Sequence, residues 1–173
     1  MCQMTEAERV VLVPSDHARW KSKFEQMAVQ LGAILPGLDV EHIGSTSVPG
    51  VPAKDVVDLM IGVEGSDIPT IAEALGAAGW DLEGSQGHHC WLSWPHRSER
   101  QFIAHVIDRR TSTWQRRIDF RDLLRTDPSA VNEYLQVKLA AAATSENWDE
   151  YTQAKTDVVS RLLDSYQDRR HQV

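Results

Sequence analysis

A short apolar segment with one carboxylate places the tightest limit on how this chain can fold. Residues 56–63 read VVDLMIGV, so apolar side chains stand at both odd and even positions and only Asp58 is charged. A strand with two apolar faces belongs in the interior of a sheet that helices cover on both sides. A carboxylate there is costly unless it meets a cation, a metal ion or several hydrogen-bond donors. Asp58 is therefore the first candidate site residue.

A polar turn leads into this strand. Residues 44–47 read GSTS, and a bend rich in proline and glycine follows at 48–52. We interpret residues 40–63 as strand, tight turn, strand. Glycine lets the backbone approach a ligand closely, and the hydroxyl residues add side-chain and main-chain donors. The turn is therefore suited to holding an anion.

Composition narrows the class of protein. The chain has 173 residues, of which 42% are hydrophobic, enough for one compact domain over residues 1–173. Its net charge of -7 argues against general attraction to nucleic acid or to an anionic membrane. The two cysteines, Cys2 and Cys90, cannot build a disulfide framework, and no stretch has the length of a membrane span. Because the amino terminus also lacks an export signal, we expect a cytoplasmic protein.

Hydrophobic periodicity predicts helices and further strands around this centre. Helices are expected near 16–35 and 67–78, a loop at 83–89, and strands at 90–94 and 100–108. The last third is expected to be helical, over about 113–125, from Asp127 onward, and over about 145–168. These elements predict an α/β (α+β) fold: a mixed sheet of about four to six strands flanked by helices, with a helical C-terminal third that closes a pocket beside the polar turn.

The three helices of the last third each place a cation within or beside an apolar stripe. These cations are Arg121 and Arg125 on the first helix, Lys138 on the second and Lys155 on the third. One interpretation is that their aliphatic stems are buried while the charged ends stay in water. Three cases in succession favour a cationic lining for a phosphorylated ligand. On the first helix, a competing apolar stripe begins at Phe120.

Histidines supply the remaining candidates. His105 shares a strand face with two isoleucines, which fits either a buried histidine with a local hydrogen bond or a site residue. His88, His89 and Cys90 could be metal ligands. However, adjacent residues of a strand point to opposite faces, and no second ligand pair stands at zinc-like spacing. An ordinary polar loop is therefore the favoured interpretation of this segment.

The segment around the polar turn resembles the signature of a known family. The sequence HIGSTSVPG at 42–50, followed by Lys54 and the strand with Asp58, is similar to the GrpB family, and later motifs at 120–125, 134–138 and 151–155 extend the resemblance. That family is placed in the nucleotidyltransferase superfamily, with polymerase-beta-like folds, and sometimes occurs fused to dephospho-CoA kinase. The resemblance implies that fold here. It also favours His105 as a site residue, because members usually carry a His-x-His pair of which this chain keeps only the second.

Residues and resemblance together predict a site for a nucleotide or another phosphorylated small molecule. Ser45 and Asp58 are the predicted catalytic residues, and Asp58 would hold Mg²⁺. The predicted ligand-binding residues are His42, Gly44, Ser45, Thr46, Ser47, Lys54, His105, Arg121, Arg125, Lys138 and Lys155.

One departure from the family pattern leaves two functions open. Active polymerase-beta-like transferases normally carry an Asp-x-Asp pair on this strand, whereas here Met60 stands at the partner position of Asp58. Glu41 or Asp108 could supply a further oxygen. The first hypothesis is an enzyme that transfers a nucleotidyl group to a small molecule with Asp58 and Mg²⁺. The second is a binding module that holds a nucleotide or a coenzyme-A-type ligand without turnover. A protein-interaction scaffold is a third interpretation, which no exposed apolar stripe supports.

Overall fold

A mixed sheet forms the centre of the protein in the computed structural model, which describes residues 10–171, with side chains to residue 169. In spatial order its strands are β1 (Asp39–Ile43), β2 (Val57–Val63), β5 (Phe102–Asp108), β4 (His89–Trp94) and β3 (Asp81–Gln86). β2 and β5 are parallel, and the other neighbouring strands are antiparallel. The predicted mixed sheet, with the 56–63 segment in its interior, is confirmed. Cys2 lies outside the described residues.

Helices cover both faces of this sheet. α1 (His17–Ile34) and α2 (Ile68–Ala77) pack on one face, and α3 (Ser112–Thr126) packs on the other. α4 (Pro128–Thr144), α5 (Trp148–Ala154) and α6 (Thr156–His171) follow α3, and the α3, α4 and α6 side chains pack against the bend after β1 at Val48 and Val51. The C-terminal helices therefore lie beside the polar turn, as predicted. Within residues 10–171, no helix is both long and apolar enough to cross a membrane.

Alternation along β2 explains why its two faces meet different layers. Leu59 and Ile61 are fully buried in the core formed with α1 and α2. Met60, on the opposite face, packs in a second cluster with Ile43 and Ile107 beneath α3. Asp58 shares that face because side chains two residues apart on a strand point the same way. β2 therefore directs its one carboxylate toward the C-terminal helices.

The helix boundaries follow ordinary capping chemistry. Asp16 caps α1 by accepting a hydrogen bond from the Arg19 backbone N–H at 3.4 Å. Asp127 caps α4 by accepting from the N–H groups of Ser129 and Ala130, and Pro128 occupies the first turn. Proline is tolerated there because its missing N–H would have no helical partner. These ends agree with those predicted from the sequence.

The prediction of a loop at 83–89 was wrong. Residues 81–86 form β3, which turns at Gly87 and pairs with β4 in a hairpin. Gly84 explains both the irregular register of the pair and the weak strand signal. A Cβ atom at Gly84 would lie 2.2 Å from the Trp91 ring, so the strand requires glycine at the point where this ring crosses it.

The single helix predicted for 145–168 is divided in the structure. α5 ends at Ala154 and α6 begins at Thr156. At Lys155 the backbone N–H bonds to the carbonyl of Thr152, three residues back, instead of continuing the four-residue spacing of an α-helix. The break gives Lys155 a position at the junction of two helices.

Candidate functional site

The polar turn is a single 3-10 turn, Ser45–Ser47, that begins directly after Gly44. Gly44 has a φ of +71°, and a Cβ atom there would lie 2.8 Å from Oδ2 of Asp58. Both the backbone conformation and the close approach therefore require glycine. The turn is fixed internally, since Ser47 Oγ donates to the Gly44 carbonyl at 2.6 Å. Gly44 thus brings the backbone of the turn against the carboxylate of β2.

Asp58 faces a cavity and is in contact with a histidine. Its side chain is 27% exposed, and Oδ1 lies 3.5 Å from Nε2 of His105 on the neighbouring strand β5. Burial by itself raises the pKa of Asp58, but the contact with His105 and the charges of Lys54 and Arg117 outweigh it and hold the pKa below its ordinary value. The group that faces the cavity is therefore a carboxylate ion at neutral pH.

The cavity lies between the sheet, the polar turn and the C-terminal helices, and its volume is about 620 Å³. It brings together most of the predicted site residues, which come from distant parts of the sequence. Those in its wall are Gly44, Ser45, Thr46, Lys54, Asp58, His105, Arg121, Lys138 and Lys155. Ser45 lies at the edge of hydrogen-bonding distance, with its Oγ 3.5 Å from the hydroxyl of Tyr134.

Two of the lysines lie against aromatic rings of α5. Nζ of Lys54 is 3.3 Å from the centroid of the Trp148 ring, and Nζ of Lys155 is 3.8 Å from that of Tyr151. An aromatic face attracts a cation without neutralising it, in contrast to a carboxylate. Burial lowers the pKa of Lys54 to about 8 and that of Lys155 to about 7, and nearby positive charge adds to the effect. Both amines therefore change protonation state easily near neutral pH.

Lys138 is the most deeply buried cation of the wall, with 1% of its surface exposed. Its Nζ donates a hydrogen bond to the carbonyl of Pro52 in the bend before β2. Burial, followed by the charges of Lys155 and Lys54, lowers the pKa of Lys138 to about 7. Because these shifts couple the lysines to one another, the three amines form one cluster around Asp58.

Arg121 and Arg125 do not have the free positive charge that the sequence predicted. Arg121 lines the cavity, but its guanidinium is shared between Glu41 at 2.6 Å and Asp122 at 2.8 Å. Arg125 lies outside the cavity wall, and its Nε donates to the carbonyl of Ser47 at 3.0 Å. Both arginines instead join α3 to β1 and to the polar turn.

His42 and Ser47, also predicted as ligand-binding residues, lie outside the cavity wall. His42 stacks on the Phe24 ring of α1 at 4.8 Å, and its Nε2 is 2.9 Å from Oγ1 of Thr46. Burial, together with the charge of Arg125, lowers the pKa of His42 to about 4, so it is neutral in the folded protein. His42 and Ser47 hold the turn in position, whereas Gly44, Ser45 and Thr46 are the residues of the turn that line the cavity.

The structure adds cavity residues that the sequence analysis did not select. Arg117 is the most informative, since it faces Asp58 and forms no ion pair with any carboxylate in the described part of the chain. Its position four residues before Arg121 is the signal that could have identified it. Hydroxyl and aromatic groups complete the polar part of the wall: Thr113, Tyr134, Trp148, Tyr151, Thr152, Thr156 and Ser160.

The donor set of this wall does not fit a protein-held Mg²⁺ ion. Magnesium prefers an octahedron of oxygen ligands, and Asp58 is the single carboxylate among the described cavity residues. Met60 fills the partner position inside an apolar cluster. Glu41 is paired with Arg121, and Asp108 is paired with Arg110 at the opposite end of β5. Neither of the two further oxygens considered from the sequence is therefore placed beside Asp58.

The segment with two histidines and a cysteine does not converge on one point. His89 faces the cavity side of the sheet, where its Nε2 lies 3.0 Å from Nδ1 of His105. Cys90 points into the opposite core, and burial raises the pKa of its thiol to about 11. Among residues 10–169, no three His, Cys, Asp or Glu side chains are grouped so that they could hold a metal ion.

Comparison with known structures defines the class of fold. The Cid1 poly(U) polymerase, solved with bound MgATP, aligns with a TM-score of 0.50 and 15% identity over 74% of this chain and 45% of that one. At this identity the likeness concerns the fold alone, which is nucleotidyltransferase-like. The chain belongs to the GrpB family, because residues 9–165 match the family model described as GrpB protein.

Relatives extend over nearly the whole chain. The crystal structure of the conserved protein GrpB from Enterococcus faecalis aligns with a TM-score of 0.75 and 25% identity, over 91% of this chain and 99% of that one. A UPF0157 protein of Deinococcus radiodurans is 35% identical over 158 residues, which are 91% of this chain and 83% of the relative. The family resemblance and the fold class expected from the sequence are thereby confirmed.

Proposed function

We propose that the cavity binds a phosphorylated small molecule, either a nucleotide or a coenzyme-A-type compound. The observation that carries this proposal is a group of four cations around one carboxylate, Asp58, none of which is ion-paired with a carboxylate among residues 10–169. These cations are Lys54, Arg117, Lys138 and Lys155. Buried positive charge is costly unless an anion balances it, and phosphate oxygens accept hydrogen bonds from several such donors at once.

The volume of the cavity and its apolar side chains fit an organic ligand. Its volume of about 620 Å³ lies within the usual range for small-molecule sites. Apolar side chains also line the cavity, namely Val48, Phe120, Leu124, Val159 and Leu163. A nucleobase or the pantetheine arm of a coenzyme-A-type compound would bury its surface there, while its phosphates meet the lysines. The proposed ligand is therefore anionic at one end and apolar at the other.

Nucleotidyl transfer is a second candidate, and the position of Asp58 favours it. In a nucleotidyltransferase-like fold, this carboxylate stands at the start of β2 beside the glycine turn and faces the cavity. There it could accept a hydrogen bond from an acceptor hydroxyl, while the cations stabilise negative charge on a departing pyrophosphate.

Thermal unfolding in the presence of candidate ligands tests the binding proposal. ATP, GTP, UTP, CTP, coenzyme A and dephospho-coenzyme A would each be added at increasing concentration. A ligand at about a hundred times its dissociation constant adds roughly 2.7 kcal/mol, which raises the midpoint by several degrees for a protein of this size. Incubation of any ligand that binds with small hydroxyl acceptors, followed by assay for released pyrophosphate, tests transfer.

A matched pair of lysine variants locates the binding. Lys155→Met removes a cavity cation and should reduce the midpoint shift, whereas Lys21→Met removes an exposed lysine of α1 that is 3.7 Å from Glu25 and should leave the shift unchanged. Absence of a shift with every phosphorylated compound would overturn the proposal. An equal loss of the shift in both variants would place the binding elsewhere.

A further inference from the structure

We infer that the ligand enters this cavity as a metal-free di- or triphosphate, and that Mg²⁺ weakens its binding instead of supporting it. This inference rests on the proposed function and adds to it the charge of the ligand and the role of the metal. It depends on how the charges around the cavity are paired.

The cavity carries a surplus of positive charge. With the lysines protonated, Lys54, Arg117, Lys138 and Lys155 carry four positive charges, and Asp58 carries one negative charge. Among the described residues of the wall, no second carboxylate offsets the difference. Three positive charges therefore require an anion, and a single phosphodiester with one negative charge would leave most of them unbalanced.

The other two arginines of the cavity wall are ion-paired with carboxylates outside it. Arg121 is paired with Glu41 and Asp122, and Arg116 lies 4.0 Å from Asp164 on α6. Because carboxylates offset both arginines, these pairs add little to the net charge around the cavity. The surplus belongs to the lysine cluster and Arg117, which are grouped around Asp58.

The other titratable groups that face the lysines do not supply negative charge. Burial raises the pKa of both Tyr134 on α4 and Tyr151 on α5, so these hydroxyls stay neutral. His105 on β5 is kept neutral by burial and by the charge of Arg117, which together lower its pKa. Arg100, whose guanidinium lies 4.5 Å from the Trp148 ring, is paired with Glu83. A bound anion would balance the cluster while its three amines stay protonated.

A magnesium ion would reduce the charge of the ligand that this cavity receives. A magnesium ion bound to a di- or triphosphate cancels two of its negative charges and so weakens its attraction to the surplus positive charge. Proteins that select such complexes offer carboxylates to the ion. This wall offers Asp58 alone, with Met60 buried in the partner position. The free polyphosphate is therefore the better electrostatic match.

Isothermal titration calorimetry with one series of adenine compounds tests the inference. Adenosine, AMP, ADP, ATP and inorganic tripolyphosphate would be titrated in EDTA and again in excess Mg²⁺. In EDTA, affinity should increase about three- to tenfold with each added phosphate, and Mg²⁺ should reduce the affinity for ATP by about tenfold. Comparison of ATP with tripolyphosphate separates recognition of the phosphates from recognition of the nucleoside.

The possible outcomes distinguish the inference from the proposed function. If ATP binds only in Mg²⁺, or AMP binds as tightly as ATP, the inference is overturned while the proposed function stands. If no compound of this series binds in either condition, and none of the nucleotides and coenzyme A compounds raises the unfolding midpoint, both are overturned. Lys155→Met should bind ATP more weakly in EDTA and lose part of the preference for ATP over AMP, while Lys155→Arg should retain that preference. An equal preference in both variants would exclude Lys155 from the polyphosphate site.

Discussion

Nη1 of Arg121 lies 2.6 Å from Oε2 of Glu41, which joins α3 to β1 along the rim of the cavity. Arg121 is 12% exposed and also donates to the carbonyl of His42 at 3.3 Å. We predict that Arg121→Met lowers the free energy of unfolding by about 1–3 kcal/mol, because it leaves a backbone carbonyl and two carboxylates without their donor. Urea unfolding followed by tryptophan fluorescence measures this loss.

Arg117 lies on the same helix as Arg121 but differs from it in having no ion-paired carboxylate within residues 10–169. It faces Asp58 but forms no ion pair in the described part of the chain. Arg117→Met should therefore reduce affinity for a phosphorylated ligand about tenfold or more, with a smaller loss of stability than Arg121→Met. Calorimetry and urea unfolding of both variants give the comparison. The reverse pattern, with Arg121→Met losing affinity and Arg117→Met losing stability, would contradict the assignment of the two arginines.

The contact between Gly44 and Asp58 makes a separate prediction. Gly44→Ala places a side chain at positive φ and within 2.8 Å of Oδ2 of Asp58. We expect a loss of about 2–4 kcal/mol in unfolding free energy and weaker ligand binding, because the turn must move away from the carboxylate. Gly37→Ala is the control, since its φ is +80° but no atom lies within 4 Å of its Cβ position. Equal losses in the two variants would show that only backbone strain matters.

The local features of the site could be predicted from the sequence. The two apolar faces of residues 56–63, the glycine turn and the place of Lys138 on a helix beside it depend on short-range patterns, and all of them lie where the patterns placed them. The periodicity of the last third also placed helices beside the turn. The strand β3 was missed because a contact with the paired strand, the Trp91 ring that crosses Gly84, decides its local structure.

Which cations are free could not be predicted, because pairing depends on residues far apart in the chain. Arg121 and Glu41 are 80 positions apart, and Arg125 and Ser47 are 78 apart. Spacing along α3 treats Arg117, Arg121 and Arg125 as equivalent members of one row. Only the packing of α3 against β1 separates the unpaired arginine from the two that are engaged.

The lysine cluster predicts how stability depends on pH. The pKa values of Lys138 and Lys155, lowered to about 7 by burial, are far below those of exposed lysines, so the unfolded chain binds more protons above pH 7. The ligand-free protein should therefore become more stable as pH rises from about 7 to 9. Burial lowers the pKa values of His42 and His89 to about 4 and about 3, so both are neutral in the folded protein throughout this range. In the unfolded chain an ordinary histidine binds few protons above pH 7, so these two residues add only a small slope close to pH 7.

Unfolding free energy measured in urea at several pH values between 7 and 9 checks this dependence. Lys155→Met should reduce the slope, whereas Lys21→Met should preserve it. Saturating tripolyphosphate should also flatten the slope, because the bound anion keeps the lysines protonated in the folded state. A flat profile for the ligand-free wild-type protein would show that the amines remain charged without a ligand.

Asp58→Asn separates the two functions considered for this site. Burial makes its carboxylate costly, and its charge opposes that of any phosphate brought to Lys54, Lys138 and Lys155. If the protein is a binding module for free polyphosphate, Asp58→Asn should bind ATP about three- to tenfold more tightly in EDTA. Asp39→Asn, which alters an exposed carboxylate of β1 near Arg109, is the control and should leave affinity unchanged. A folded Asp58→Asn protein that still binds ATP but no longer releases pyrophosphate would instead establish Asp58 as a catalytic carboxylate, because the loss would then concern the transfer step and not the binding of phosphate.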